Sequence, residues 1–378
     1  MISVVFVSNF LIHHQYPFCR EMLKCTEINF TFVCCNPLSE ERKNLGYEDY
    51  SNLPFVVRTY DGPDSMQKAL TLTAEADVAI IGHADDEFIR IRMSQNKLTF
   101  KYCERLFKRG KWVLLHPAAQ KSLYQTFTKY RKKNLYILAA SAFSMPDLRL
   151  CGFNPNKGFK FGYLPEVIRY DDIDSLMNQK EPASIIWVGR FLDWKHPDFA
   201  LKAAKVLWDE GLRFSMKLIG IGPVKEECEE YVRTNLPDCD IKFLGAMNSE
   251  DVRRNMEKST IHLFTSDRRE GWGAVLGEGM NSGCAVIASD ACGSTPYLVE
   301  QNVNGLIFRS GDFKGFCNLL RDLISDPSHS ASLGKEAYYT MTTLWNAEVA
   351  APRFVNLCKA LLNGEPIPQY PSGVCSKG

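Results

Sequence analysis

Two glutamates in one short segment have the residue type and spacing to do chemistry. Glu270 begins a glycine-rich turn, Gly271-Trp272-Gly273, and Glu278 follows eight residues after Glu270. A turn that runs into a helix leaves backbone N–H groups free at the helix N-terminus, where the helix dipole favours phosphate. If helix spans both glutamates, one carboxylate could bind a sugar hydroxyl and the other a ribose. A surface turn followed by a solvated glutamate explains the segment equally well.

A second pattern carries positive charge. Arg190 and Lys195 follow Gly189 at the end of an apolar run. A guanidinium acts as a fork and an ammonium as a point charge, so the two cations can converge on one diphosphate. Taken by itself, this pattern indicates only a loop with basic residues. A third run, residues 220–223, ends another apolar stretch with Gly220 and Gly222, which allow close backbone approach.

Two histidines follow predicted strands. His116 is predicted to end a strand over 112–116, and His83 follows a strand over 78–82. A histidine at the carboxyl edge of a parallel sheet can exchange protons near neutral pH. A structural histidine with satisfied hydrogen bonds is an equally good interpretation of each.

The elements that must position these residues alternate regularly. Short β-branched runs separated by helical stretches predict two doubly wound parallel α/β domains, with the working site in the cleft between them. A polar, proline-bounded stretch is the natural linker between the domains. The predicted organisation is a first domain over 1–168, a linker over 169–183, a second domain over 184–345, a last helix over 346–362 and a frayed tail over 363–378.

Composition narrows the class of protein. The 378 residues carry a formal charge of +1, so the chain as a whole is no obvious nucleic-acid binder. No apolar run approaches the roughly 20 residues that a membrane-spanning helix needs. Residues 1–7 lack the basic region of a signal peptide and are expected to form a first strand of a chain that starts at Met1. Thirteen cysteines without a C-x-x-C pair predict reduced thiols in a cytoplasmic protein.

Other functional signatures are weak or missing. The pairs Asp172-x-Asp174 and Asp238-x-Asp240 could hold a metal, but they lie in polar segments where acidic pairs arise by chance, and we expect no metal. The sequence contains neither a G-x-x-x-x-G-K-[ST] phosphate loop nor a G-x-S-x-G nucleophile elbow.

In this order and spacing, the motifs resemble the retaining glycosyltransferases of the GT-B fold, family four (glycosyltransferases group 1). The resemblance covers the second half of the chain, while the loop over residues 8–15 lacks the paired glycine that the family often has. The matching motifs are Gly189-Arg190 with Lys195, Gly220-x-Gly222-Pro223, Phe243-Leu244-Gly245, Glu270-x7-Glu278, Gly283, Val286-Ile287-Ala288 and Asn304-Gly305.

The resemblance implies roles for individual residues. Arg190 and Lys195 would bind the donor pyrophosphate, Glu270 the donor sugar and Glu278 the ribose. His116 would lie near the reacting sugar, and the last helix, after Trp345-Asn346, would cross back to the first domain. The implied donor-binding set is Gly189, Gly222, Gly245, Met247, Gly271, Trp272, Gly273 and Glu278, and the acceptor-side set is His13, His14 and His83.

The implied activity is metal-independent transfer of a sugar, with retention of configuration, to a glycan or lipid-linked acceptor. The co-substrate would be a UDP- or GDP-sugar without a further cofactor. Stretches around residues 96–105 and 135–141 resemble members that build bacterial cell-surface polysaccharides. A catalytically silent sugar-nucleotide-binding subunit and a GT-B epimerase are the alternatives. Eleven cations over 97–133, interleaved with Phe100, Tyr102, Phe107 and Tyr130, predict contact with the inner face of an anionic membrane; a solvated helix face explains the stretch equally well.

Overall fold

The chain forms two compact units. The computed structural model describes residues 1–44 and 46–378, without the side chains of Glu41 and Asn44. The first unit comprises Met1–Glu166 and Trp345–Gly378, and the second comprises Val167–Leu344. Each unit has a parallel sheet and helices in the connections between its strands. The predicted fold class, two doubly wound α/β domains, is confirmed.

The sheet of the first unit has seven parallel strands in the order β3-β2-β1-β4-β5-β6-β7. The run Val4–Val7 in its centre is buried on both faces, which explains why a continuous apolar run marks this strand. The strands are β1 Ile2–Ser8, β2 Ile28–Cys34, β3 Val56–Arg58, β4 Val78–Ile81, β5 Thr99–Cys103, β6 Leu135–Ala139 and β7 Gly158–Lys160.

The sheet of the second unit has six parallel strands in the order β10-β9-β8-β11-β12-β13. Alternate residues of its strands, such as Trp187, Leu218 and Leu263, share one hydrophobic core. The strands are β8 Ser184–Val188, β9 Ser215–Ile219, β10 Asp240–Gly245, β11 Ile261–Phe264, β12 Ala285–Ser289 and β13 Leu306–Phe308.

Helices connect the strands of each unit. Over the described residues, no helix is both long and apolar enough to cross a membrane. The α-helices are α1 Tyr16–Lys24, α2 Glu40–Asn44, α3 Pro63–Glu75, α4 Asp86–Ser94, α5 Pro117–Thr126, α6 Ser144–Leu150, α7 Ile173–Asn178, α8 Pro197–Asp209, α9 Lys225–Asn235, α10 Ser249–Lys258, α11 Ala274–Asn281, α12 Thr295–Leu298, α13 Phe313–Ser325, α14 Pro327–Thr343 and α15 Ala347–Asn363.

The strand predicted over 112–116 is wrong. Residues Lys111–Leu115 form a 3₁₀ helix, and His116 is an exposed residue at the start of α5. The apolar side chains of this 3₁₀ helix give a sequence pattern typical of a buried strand, but Trp112 and Leu115 face solvent in the structure. The strand-end position that favoured His116 is therefore absent.

Strand β5 occupies part of the stretch that looked like a basic surface. Lys101 lies within this strand, and its Nζ donates a hydrogen bond to the backbone oxygen of Gly82 at 2.5 Å. Phe100, Tyr102 and Phe107 are buried in the core. The predicted interleaving of cations with these three aromatic residues at a surface is therefore wrong.

The last residues of the chain are not frayed as predicted. Cys375 N and Gly378 N donate to backbone oxygens of Lys160 and Gly158, and Lys160 N donates to Ser376 O. This segment thus pairs antiparallel with β7, the edge strand of the first sheet. The pairing satisfies backbone groups that an open sheet edge would expose.

Candidate functional site

The candidate site lies where the connections of the second sheet change direction. From β8 the chain continues outward to β9 and β10, whereas β11 lies on the opposite side of β8 and leads to β12 and β13. The loops after β8 and β11 therefore leave neighbouring strands at the topological switch point, where doubly wound sheets bind ligands. The first loop carries Arg190 and Lys195, and the second carries Glu270.

Lys195 and Glu270 meet across these two loops. The Lys195 Nζ lies 2.5 Å from Glu270 Oε2, and the two side chains are only 13% and 14% exposed. Ser266 Oγ donates to the same carboxylate oxygen at 3.3 Å. The structure thus brings together two residues that are 75 positions apart in the sequence.

A buried hydrogen-bond chain holds the backbone of this lysine. Trp187 Nε1, on β8, donates to Thr265 Oγ1 at 2.9 Å, and Thr265 Oγ1 donates to the backbone oxygen of Lys195 at 2.7 Å. The indole is 2% exposed, so water does not compete with this bond. The ammonium of Lys195 is therefore presented from a fixed loop, which favours electrostatic preorganisation.

Arg269 braces the same two loops from the exposed side. Its guanidinium contacts Asp193, in the loop after β8, at 3.0 Å and Asp267 at 3.1 Å. The hydrogen bond from Arg269 lowers the pKa of the Asp193 carboxyl below its usual value. Several polar contacts thus join the two loops, including a backbone hydrogen bond from Asp267 N to Trp194 O at 2.9 Å.

The glycine-rich turn ends where α11 begins. Gly273 has φ +86°, and a Cβ at this position would lie 2.2 Å from Phe264 Cζ, so only glycine fits. Because α11 begins at Ala274, Glu270 lies in the turn and Glu278 in the helix. The two carboxylates therefore do not share one helical face. The Trp272 ring is buried beside Tyr297, so only the backbone of Trp272 is available to a ligand.

Two glycines let three strand ends pack backbone against backbone. A Cβ on Gly220 would lie 1.9 Å from Gly189 O, and one on Gly222 would lie 2.4 Å from Phe191 O. Gly220 N donates to Gly245 O at 2.7 Å. Gly189, Gly222 and Gly245 thus belong to one cluster of loops, and Met247 follows them, partly buried beside Asn255.

Two residues that the sequence analysis did not single out border this turn. The hydroxyls of Ser294 and Thr295 are fully buried and have no hydrogen-bond partner among the described residues. Ser294 N donates to the backbone oxygen of Trp272. The signal in the sequence is the run Gly293-Ser294-Thr295 in the loop that follows β12, at the carboxyl edge of the sheet.

Lys180 holds the carboxyl ends of two helices together. Its Nζ lies 2.8–3.3 Å from four backbone oxygens, those of Met256, Glu257, Ser259 and Ser282, among which its three N–H groups are shared. These oxygens lie at the ends of α10 and α11, where the helix dipole favours a cation. Burial lowers the pKa of Lys180. This lysine, in the segment predicted as a linker, therefore anchors the helix that carries Glu278.

His262 packs directly against helix α11. It lies on β11 and is fully buried, and a Cβ on Gly279 would lie 2.2 Å from His262 Nδ1. Neither ring nitrogen has a hydrogen-bond partner among the described residues. Burial lowers the pKa of His262 to about 4.

We expect this histidine to make the stability of the second unit depend on pH. The unfolded chain protonates His262 near pH 6.5, whereas the folded unit holds it neutral down to about pH 4, so the free energy of unfolding falls as pH drops between these values. The loss reaches about 3 kcal/mol. Urea unfolding at several pH values should show a weaker acid dependence for His262→Leu than for the wild type. Identical slopes would contradict this prediction.

The first unit brings two of its candidate histidines together. His13 and His14 follow β1 with ring centroids 3.9 Å apart, and the His14 ring stacks parallel to Tyr163 at 5.4 Å. Burial lowers the pKa of His14 well below its usual value, and the neighbouring His13 and Arg42 lower it further. His83 is exposed just after β4, the strand beside β1. His116 lies after the 3₁₀ helix and not at this sheet edge.

Three residues of the two acidic pairs have structural partners. Asp172 caps the N-terminus of α7 by accepting from Asp174 N and Ser175 N, and Asp174 pairs with Lys335. Asp240 pairs with Lys242 at 3.0 Å. The Asp172-x-Asp174 pattern therefore has a helix-capping explanation.

The segment that builds the site in the second unit is similar to a known family. Residues 169–340 match the family model Glycosyl transferases group 1. The site residues from Gly189 to Glu278 lie inside the match. This match and the fold support the assignment of the chain to a glycosyltransferase family.

Individual relatives are similar over parts of the chain. The amylovoran biosynthesis glycosyltransferase AmsK of Erwinia amylovora is 24% identical over 267 residues, covering 67% of this chain and 64% of that protein. The lipopolysaccharide 1,6-galactosyltransferase of Escherichia coli K12 is 29% identical over 42% of this chain and 44% of that protein. The matched region thus spans less than two thirds of either relative.

A solved structure shows the same architecture over nearly the whole chain. HepE of Anabaena, crystallised in complex with UDP, superposes with a TM-score of 0.70 over 95% of this chain and 100% of that chain. Its sequence is 15% identical, so the likeness establishes the fold, GT-B.

Proposed function

We propose that the chain is a glycosyltransferase of cell-surface polysaccharide synthesis. It would transfer a sugar, with retention of configuration, from a nucleotide-diphosphate sugar in the second unit to a glycan or lipid-linked acceptor. The observation that carries the proposal is the Lys195–Glu270 pair at the switch point, inside the segment that matches the group 1 family. The similarity to the amylovoran and lipopolysaccharide enzymes supports the acceptor class.

The donor diphosphate binds beside the Lys195–Glu270 pair. Lys195 and Arg190 supply positive charge, and the backbone N–H groups of residues 271–273 lie at the start of α11, where the dipole favours phosphate. An entering phosphate competes with Glu270 for the ammonium, which releases the carboxylate toward the hydroxyls of the donor sugar. Glu278 binds the ribose.

Catalysis in this proposal is electrostatic. The bond between the sugar and the diphosphate breaks, and the acceptor oxygen forms its new bond on the same face of the sugar. The leaving phosphate takes the acceptor proton. Lys195, Arg190 and the amides of the turn stabilise the charge that grows on the diphosphate, a role in which we invoke no metal ion.

The first unit supplies the acceptor side. His13 and His14 lie at the carboxyl end of β1, beside the aromatic rings of Tyr47 and Tyr163. Aromatic rings offer apolar faces and His13 offers polar groups, a combination suited to a saccharide. We place the enzyme in the cytoplasm, in contact with the inner face of the membrane.

We expect Glu278→Ala to weaken binding of the donor nucleotide by about ten- to a hundredfold, because a charge-assisted hydrogen bond to the ribose is lost. Thermal-shift titrations with UDP-, GDP- and ADP-sugars test this, since a ligand that binds only the folded state raises the melting temperature. HepE was crystallised with UDP, so UDP-sugars are the first probes.

The matched control is Glu336→Ala, which removes an exposed glutamate from α14 and should leave the shift intact. Equal donor affinity in wild type and Glu278→Ala would overturn the ribose assignment. Donor binding without transfer to any acceptor would instead favour the silent-subunit hypothesis, and an epimer formed from donor alone would favour the epimerase.

A further inference from the structure

The connection between β5 and β6 exposes large apolar side chains. Within residues 109–133, here called the docking segment, Trp112 is 60% exposed, Leu115 81% and Tyr124 58%. Neither its 3₁₀ helix, Lys111–Leu115, nor α5 contains a buried residue. Single exposed apolar side chains are ordinary, but three in one short segment mark an interaction surface.

Trp112 and Leu115 project from the same side of their helix. Residues three positions apart are eclipsed in a 3₁₀ helix, so the indole and the leucine side chain lie one above the other. The Trp112 Nε1 donates to Arg109 O at 2.6 Å, and Gln120 Nε2 ties α5 to the backbone oxygen of Leu114 at 2.6 Å. These two hydrogen bonds therefore stabilise the 3₁₀ helix that carries the two apolar side chains.

The docking segment contains several cationic residues and no acidic residue. The sequence has no aspartate or glutamate between Arg105 and Pro146. Lys97 lies outside this surface, because its Nζ donates to backbone oxygens at the end of α3. The exposed cations of the segment are Arg109, Lys111, Lys121, Lys129, Arg131, Lys132 and Lys133.

We propose that the docking segment binds an anionic phospholipid bilayer, with Trp112 and Leu115 inserted at the interface and the cations against the headgroups. Tryptophan favours the boundary between headgroups and acyl chains, and each lysine or arginine near the surface adds attraction to anionic lipid. The inference deepens the membrane contact in the proposed function: it would bring the transferase to a lipid-linked acceptor.

Vesicle sedimentation tests this surface directly. The full-length chain should sediment at low salt with vesicles of phosphatidylcholine and phosphatidylglycerol, and far less with phosphatidylcholine alone. Replacing Arg131, Lys132 and Lys133 with glutamine should weaken binding by about a hundredfold.

The double variant Trp112→Ser/Leu115→Ser should weaken binding at least tenfold, because the transfer free energy of two apolar side chains is lost. The matched control is Leu23→Ser/Leu362→Ser, which alters residues of the same unit that are 45% and 41% exposed.

Tryptophan fluorescence gives a second readout. The chain has six tryptophans, all among the described residues, and Trp112 alone is more than a third exposed. Anionic vesicles should shift the emission to the blue and protect it from iodide, and Trp112→Phe should abolish both effects while Trp208→Phe does not. Absence of sedimentation with anionic vesicles, or an unchanged emission upon binding, would overturn the proposal.

The two proposals can fail separately. Vesicle binding is measured without donor or acceptor, and transfer to a water-soluble acceptor analogue is measured without vesicles. The serine variants should keep this soluble activity and the melting temperature of the wild type, because the replaced side chains face solvent.

Discussion

The variant Lys195→Met is expected to lower kcat by about 10²–10³-fold, because it removes a preorganised charge that stabilises the leaving diphosphate. The side chain is mostly buried, and its backbone is held by Thr265. Another cation therefore cannot easily take its place. Steady-state transfer from the nucleotide sugar selected by thermal shift measures the effect.

The pairing with Glu270 requires a further variant. Loss of Lys195 leaves the mostly buried carboxylate of Glu270 without its ammonium, so Lys195→Met should also lower the free energy of unfolding. The double variant Lys195→Met/Glu270→Gln removes both charges and should regain stability without regaining activity. Recovery of turnover in the double variant would show that Lys195 acts only by holding the fold.

Two matched controls complete the test. Lys202→Met removes an exposed lysine on α8 that pairs with Asp198, and it should keep both activity and melting temperature. Arg190→Ala removes an exposed side chain of the same site, so turnover should fall with little change in stability.

The second large effect is expected at Lys180. Lys180→Met should lower the free energy of unfolding by about 2–4 kcal/mol, because four backbone oxygens, three of them in buried contacts, lose their donor. Relief of the buried charge offsets part of the loss, so the net effect is smaller than the sum of four bonds. Urea unfolding, followed by a probe in the second unit, measures the change.

The surface lysine Lys335 is the control, since it pairs with an exposed carboxylate of Asp174 and its loss should leave the free energy of unfolding nearly unchanged. At temperatures where Lys180→Met remains folded, its donor affinity should fall less than that of Glu278→Ala. Equal stability of Lys180→Met and Lys335→Met would contradict the anchoring role.

The sequence predicts the fold class because parallel strands covered on both faces require continuous apolar runs. Continuous apolar runs mark β1, β2, β4, β8, β9, β11 and β12 in the sequence for this reason. The same rule fails at residues 112–116, where an apolar run lies in an exposed 3₁₀ helix. The rule also misses β5, because a lysine in mid-strand breaks the apolar run; in the structure this lysine is partly buried and donates to the Gly82 carbonyl.

For the site, the order Gly189, Arg190, Lys195, Glu270 and Glu278 was sufficient to indicate a glycine-rich anion site and a family resemblance. The roles of these residues stay predictions, as do those of the four histidines. The sequence predicts Glu270 on the turn and Glu278 in the helix, and the structure has this arrangement, because Gly273 adopts φ +86° and α11 begins at Ala274.

The sequence by itself thus determined the α/β class and the segments that carry the site, since strand burial and glycine turns are local properties. Tertiary structure alone decided which charges meet. Lys195 and Glu270 pair across 75 residues, and Lys180 binds carbonyl groups 76–102 residues away. Contacts of this kind depend on how strands are ordered in the sheet. No local pattern records that order, and for that reason the pairing of Lys195 with Glu270 and the carbonyl contacts of Lys180 emerge only from the fold.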